Sequence, residues 1–212
     1  NNELSYSGLI YLDPFSLNTS VNIAKWNWAE VLSNEYFLGK ILNDEFYIHK
    51  NFNSNIEVRI DSFVKDKIFD KGKLVLETQN GKVKFDKSYF VLKNFGNVAF
   101  SNSSLSNIKK TLVFKSNIEL NIDKNKKFYN IFQIPIKYRK RINNINFDIE
   151  INLSSGATKV SKFKVDSESN DSLVEKINYI LSSSNTHFLR NSYNWFDVRN
   201  FVNTLIIEIN SV

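Results

Sequence analysis

Ile145, Phe147, Ile149, Ile151 and Leu153 alternate without a break with Asn146, Asp148, Glu150 and Asn152. Successive side chains of a strand point to opposite faces, so such a run makes a strand with one apolar and one polar side. The pattern recurs. Leu112, Phe114, Ile118, Leu120 and Ile122 alternate with Lys115, Asn117, Glu119 and Asn121, with Val113 and Ser116 as exceptions. Ile56, Val58 and Ile60 alternate with Glu57, Arg59 and Asp61, and Leu17, Val21 and Ile23 with Asn18, Ser20 and Asn22. Parallel strands are commonly apolar on both faces, so many strands with one wet side predict antiparallel sheet. Residues 1–165 are therefore expected to form a mainly β region, a strongly twisted antiparallel sheet whose apolar side is either an open groove or a closed core.

One turn is fixed by its residues. Asn80-Gly81 lies between two alternating runs, and both residues accept the positive φ of a type I′ hairpin. Pairing Gln79 with Lys82 sets Thr78 opposite Val83, Leu76 opposite Phe85 and Glu77 opposite Lys84. Further strands are expected at Tyr89–Leu92, Val98–Ser103 and Lys159–Val165. Short helices are expected near 26–42, from Trp26, Ala29, Leu32 and Phe37, and near 128–133, stopped by Pro135. Residues 166–212 change character. Asp171-Ser172 can cap a helix carrying Leu173, Ile177, Ile180 and Leu181. A last helix from about Val198 to Ile209 would bury Phe201, Leu205 and Ile209 against the sheet. This helical C-terminal segment is expected to pack on the same domain as the sheet.

Composition excludes several chemistries. The chain has no Cys, so disulfides, thiolate metal sites and a Cys nucleophile are ruled out. His49 and His187 are the only histidines, and neither accompanies a Gly-flanked serine elbow. Carboxylate neighbours at Asp44-Glu45 and Asp166/Glu168 fit chance placement better than a glycosidase pair. No phosphate-cradling glycine motif, calcium loop or dinucleotide fingerprint occurs. The reading is of a non-enzymatic protein with no catalytic residue, no metal and no cofactor. No run is apolar and long enough to span a membrane. The absence of Met, even at position 1, points to a chain drawn from a longer or processed precursor. The net charge is +6, with lysines that read as interleaved with acids, so no nucleic-acid partner is expected. The densest charge run, Lys137-Tyr138-Arg139-Lys140-Arg141, reads as a solvated loop, with anionic headgroups as the functional alternative.

Three stretches carry a family likeness: Gly8-Leu9-Ile10-Tyr11-Leu12-Asp13-Pro14-Phe15, the run from Gly72 to Phe85 continuing to Asn94-Phe95-Gly96-Asn97-Val98-Ala99-Phe100, and Phe128-Tyr129-Asn130-Ile131-Phe132-Gln133-Ile134-Pro135. Strand, Asn-Gly turn, strand and a short Phe-Gly connection into the next strand resemble the AsmA-like proteins. The resemblance implies a bacterial envelope protein related to bridge-like lipid-transfer proteins, periplasmic and held in the inner membrane by an anchor this chain lacks. It implies a role in outer-membrane assembly or phospholipid transport through a hydrophobic β-groove, with phospholipid acyl chains as partner. It brings no catalytic motif and no lipid-contacting residue by position. From the alternation itself, Phe114, Ile118, Leu120, Phe147, Ile149 and Ile151 are the candidates to line such a groove. The competing expectation is a β-sandwich used for binding or adhesion, with these side chains in a closed core.

Overall fold

The computed structural model describes residues 4–13, 15–27, 49–108, 111–153, 155–169, 171–183 and 195–211. The alternating runs become strands: β1 (Leu4–Leu12), β2 (Phe15–Ile23), β3 (Asn53–Ile60), β4 (Phe69–Gln79), β5 (Lys82–Lys84), β6 (Tyr89–Leu92), β7 (Gly96–Ile108), β8 (Thr111–Ile122), β9 (Asn144–Asn152), β10 (Thr158–Val165) and β11 (Glu168–Ser169). Helices α1 (Asn125–Ile131), α2 (Asp171–Ser183) and α3 (Trp195–Asn210) accompany them, with a 3-10 turn at Ile136–Tyr138. The protein is mainly β. All eleven described strands belong to one sheet, ordered β1-β2-β3-β4-β5-β7-β8-β9-β10-β11, with β6 between β4 and β7. Two sheets closed on each other, the sandwich expectation, are not formed by the described residues.

The hairpin register holds. Gln79 pairs with Lys82, Thr78 with Val83 and Glu77 with Lys84, while Asn80 (φ 53) and Gly81 (φ 71) take the positive φ a type I′ turn needs. β5 ends at Lys84, before Phe85 can pair with Leu76. Glu77 lies 3.9 Å from Lys87 rather than bridging to Lys84. One pair departs from the antiparallel expectation: β2 and β3 run parallel, Ser16 beside Asn53 through Ile23 beside Ile60. The chain between them, residues 24–52, exceeds the dozen or so residues that a parallel crossover requires. Alternation could not reveal this, because β2 and β3 keep one polar face whichever way they run. The expected helix near 26–42 falls almost wholly on 28–48, outside the described residues. Trp26 itself makes a parallel bridge with Phe63.

The sheet is bent where its ladders slip. Between β5 and β6, Lys87 has φ 65; opposite it, β7 slips between Ser101 and Ser104, with Asn102 at φ 48. Asp86 Oδ1 ties the two irregularities together, accepting from Ser103 N at 2.8 Å and Ser103 Oγ at 3.0 Å. β10 slips between Ser161 and Lys164, with Lys162 at φ 50. Extra residues of this kind sharpen twist and bend the bulged strand.

The helices gather over the β8–β10 end. α1 begins earlier than expected, at Asn125, and buries Phe128 and Tyr129. Phe132 follows as its C-cap and is also buried. α2 starts at Asp171, an acid suited to the positive end of the helix dipole. Asn178 on α2 donates to Val160 O at 2.9 Å and accepts from Val160 N at 2.8 Å. Its amide thus takes the place of a neighbouring strand on the outer side of β10 and satisfies backbone groups that would otherwise be orphaned. On α3 the burial differs from expectation. Ile206 is fully buried, whereas Phe201, Leu205 and Ile209 are only half-buried. The helix is rotated because Asn203 reaches Phe132 O and Gln133 O at 3.0 and 2.8 Å and Asn210 reaches Tyr138 O at 2.8 Å.

Candidate functional site

The registers carry one apolar face across the whole sheet. Leu4 pairs with Ile23, Ile23 with Ile60 and Ile60 with Gly72. The row continues through Phe90, Val98, Leu120 and Ile145 to Val165. A neighbouring row runs Tyr6, Val21, Val58, Leu74, and beyond the β5–β6 break Phe100, Ile118, Phe147. Gly72 is the gap in the first row, and Phe90 fills it: a Cβ on Gly72 would stand 2.4 Å from the Phe90 ring.

This face is covered unevenly. Near β10, Ile145, Val160 and Phe163 share one buried cluster with Phe128 and Phe132, Leu173 and Ile177 of α2, and Ile206 of α3. Midway, Phe63, Phe69 and Phe90 form a ring cluster with centroids 5.2–5.8 Å apart. At the far edge β1 is exposed along its length, and on this face Tyr6 is 77% and Leu12 81% exposed.

All six groove candidates lie on that face, set together by the pairs Phe114–Ile151, Ile118–Phe147 and Leu120–Ile145, with Ile149 opposite Ser116. They do not form one site. Leu120, Phe147 and Ile149 pack on the main cluster, while Phe114 and Ile151 pack with Leu105, Leu112 and Leu153 in a smaller one. Phe114 meets Phe85 edge-on at 5.8 Å. Ile118 stands half-buried between Phe100 and Phe147.

Phe147, Ile149 and Ile151 also form the floor of a cavity of about 270 Å³, walled by Val160 and Phe163 of β10, Ile177 and Leu181 of α2, and Phe201 and Leu205 of α3. Gly156 and Thr158 complete it. Only Thr158 brings a polar side chain to this lining. An apolar cavity of roughly 150 Å³ stays dry and accepts a benzene-sized ligand, so a larger one of this lining suits hydrocarbon better than water. The β10, α2 and α3 walls escaped sequence reasoning. Their helical periodicity marked an inner stripe but could not say that two helices meet over β9 and β10 without filling the space.

The reverse face is polar and paired. Asn117 Nδ2 donates to Asn146 Oδ1 at 3.0 Å and Asp148 Oδ1 at 2.9 Å. Lys162 lies 2.9 Å from Asp148 and Lys115 2.8 Å from Glu150. Burial pushes the Asp148 carboxyl up, but the hydrogen bonds from Asn117 and Lys162 and the lysine charge outweigh it and hold it below the ordinary range. Glu57 is likewise held low by hydrogen bonds from Lys73 and Arg59.

Two of the titratable candidates, His49 and Asp166, have structural partners. His49 is exposed and its Nδ1 accepts from Asn51 N at 3.2 Å. Asp166 Oδ1 accepts from Asn143 N and Asn144 N, both at 2.8 Å, which closes the turn after β10. Asp44, Glu45 and His187 lie outside the described residues. Among the described residues no three His, Asp or Glu side chains converge as a metal site would require, and no helix is long and apolar enough to cross a membrane. Compared with known proteins, the chain matches no family model, no curated protein and no solved structure.

Proposed function

We propose that this chain is a non-enzymatic module that shelters phospholipid acyl chains on the apolar face of its sheet, as an AsmA-like envelope protein would while moving lipid between membranes. On this reading it works in the periplasm, within a protein anchored in the inner membrane and serving outer-membrane assembly. The observation that carries the proposal is the apolar face that crosses the sheet, exposed at β1, covered by protein around Phe90 and Ile145, and holding an apolar cavity under α2 and α3. Apolar patches beyond a few hundred Å² are rarely left to water. Hydrocarbon covers such a face at about 0.8 kcal/mol per buried CH₂ and asks for no particular polar residue.

A photo-crosslinking residue at Ile118 or Ile151, in cells fed labelled phospholipid, tests this. Lipid adducts are expected at both positions and not at Glu119 or Glu150 on the polar face. Equal labelling of both faces, or none, would refute the reading.

A further inference from the structure

Segment 124–141 holds Lys124, Lys126, Lys127, Lys137, Arg139, Lys140 and Arg141 and no acid. Taking those seven from the 28 Lys and Arg leaves 21 against 22 Asp and Glu in the rest of the chain. The net charge of +6 is therefore the property of this one segment, which corrects the expectation of evenly interleaved lysines. The rest of the protein is close to neutral.

The segment is braced, not slack. Arg139 Nε donates to Ile134 O at 2.8 Å, Arg139 Nη1 to Asn130 Oδ1 at 3.1 Å, and Tyr138 N to Pro135 O at 3.0 Å. From α3, Asn203 and Asn210 hold Phe132 O, Gln133 O and Tyr138 O. Tyr129 Oη donates to Lys140 O. At the tip of this framework Ile136 is 83% exposed, between Pro135 and Lys137. Arg139 and Arg141 of the same segment line an open cleft of about 480 Å³ with Lys126, Asn125, Asn143 and Tyr129, and Asp123 is the one acid in its wall. Asp166 faces the same region but is engaged with two backbone amides. No described acid lies within ion-pair distance of any of the seven cations.

We infer that segment 124–141 is a docking surface for an anionic phospholipid bilayer, with Ile136 entering the interface and the surrounding lysines and arginines facing headgroup phosphates. Charge complementarity argues for this occupant. A braced basic surface whose cations have no ion-paired acid attracts an anionic plane, and an apolar side chain held out among the cations adds a short anchor that a nucleic acid could not use. The inference does not rest on the acyl-chain reading and can stand without it.

Vesicle flotation of the full chain tests it. The protein should float with phosphatidylcholine vesicles containing phosphatidylglycerol, not with pure phosphatidylcholine, and should be released by high salt. Reversing Lys137, Lys140 and Arg141 to Glu should weaken binding more than tenfold, since each basic residue near an anionic surface contributes roughly fivefold. Reversing Lys71, Lys82 and Lys84 supplies the matched control and should change little. Because the chain has no cysteine, an environment-sensitive dye can be placed at Ile136→Cys; its emission should shift to the blue on vesicle binding, and a dye at Lys82→Cys should not. Equal loss in both triple variants, no blue shift at position 136, or a single-stranded oligonucleotide bound more tightly than the vesicles would overturn the inference.

Discussion

Ile149→Phe asks whether the space under α2 and α3 is real. Ile149 sits on β9 between Ser116 of β8 and Val160 of β10, facing the cavity of about 270 Å³. Small Ser116 leaves no competing side chain on one flank. Phenylalanine adds three side-chain carbons, and aromatic residues suit strands. If the added carbons enter the cavity, burial contributes up to about 2 kcal/mol, at about 0.8 kcal/mol per carbon. If no space exists, overpacking costs about 1–3 kcal/mol instead. For a chain of this size each kcal/mol moves the melting temperature by about 2–4 °C. The expected result is a rise of roughly 4–8 °C at most, read by calorimetry on protein refolded from guanidinium so that bound lipid is removed. In the crosslinking assay the same variant should lose adducts at Ile151 and keep them at Ile118, which is not part of the cavity lining. A melting temperature several degrees below the parent would refute both the cavity and the argument that hydrocarbon occupies it.

Gly96→Ala should abolish or severely weaken folding, because its Cβ would stand 1.8 Å from Asn121 O; overpacking on the backbone itself exceeds the usual cost of about 1–3 kcal/mol, and an unshifted urea midpoint would show that β7 and β8 do not approach so closely. Ile206→Ala should cost about 2–5 kcal/mol and Leu205→Ala distinctly less, since Ile206 is fully buried and Leu205 half-buried beside existing space; the reverse order in denaturant titrations would contradict the rotation assigned to α3. The depressed carboxyls of Asp148 and Glu57 add stability that is complete above their unfolded pKa values near 4 and is lost as pH falls through the lower folded values. Stability should therefore decline below about pH 4, and Asp148→Asn should lower stability at pH 7 while flattening part of that decline; a constant gap between variant and parent from pH 7 to 3 would rule this out.

The strands were legible because a period of two is a local property. Ile145 to Leu153 and Leu112 to Ile122 announce their own faces, and Asn80-Gly81 fixes a register through its φ requirements. What joins distant strands was not legible. The parallel pairing of β2 with β3 is decided by where the chain goes between residues 24 and 52, not by either strand's pattern. The slip at Lys162 places an ordinary residue in positive φ, and Asn102, at the other slip, is one of many asparagines able to take it, so neither position stood out beforehand. For the site, the alternation identified the six floor and face residues but not which of them meet a roof. That depends on α3 being turned by Asn203 and Asn210, whose amides look like unremarkable polar positions in the sequence. The basic segment was visible as five residues and missed as eighteen, because α1 brings Lys126 to the same cleft as Arg139 and Arg141.

The dimensions of the face bear on how a lipid would use it. The row from Leu4 to Val165 crosses nine strands, and with neighbouring strands about 4.8 Å apart it extends about 40 Å. The hydrocarbon core of a bilayer is roughly 30 Å thick, so one acyl chain spans about half of that. Protein covers most of that row, since Ile23, Ile60, Phe90 and Ile145 are buried, so it is exposed only at β1, and a cavity of about 270 Å³ holds only part of one chain. The two therefore cannot be equivalent binding sites. On the proposed reading, the cavity would take a chain end and the exposed β1 end would meet chains in passage. α3 links them to the basic segment: Leu205 and Phe201 wall the cavity, and Asn203 and Asn210 grip the loop that carries Ile136. On the proposed reading, a bilayer met by that loop would lie beside the closed end of the apolar face, and the exposed β1 edge would be the end from which chains arrive or leave.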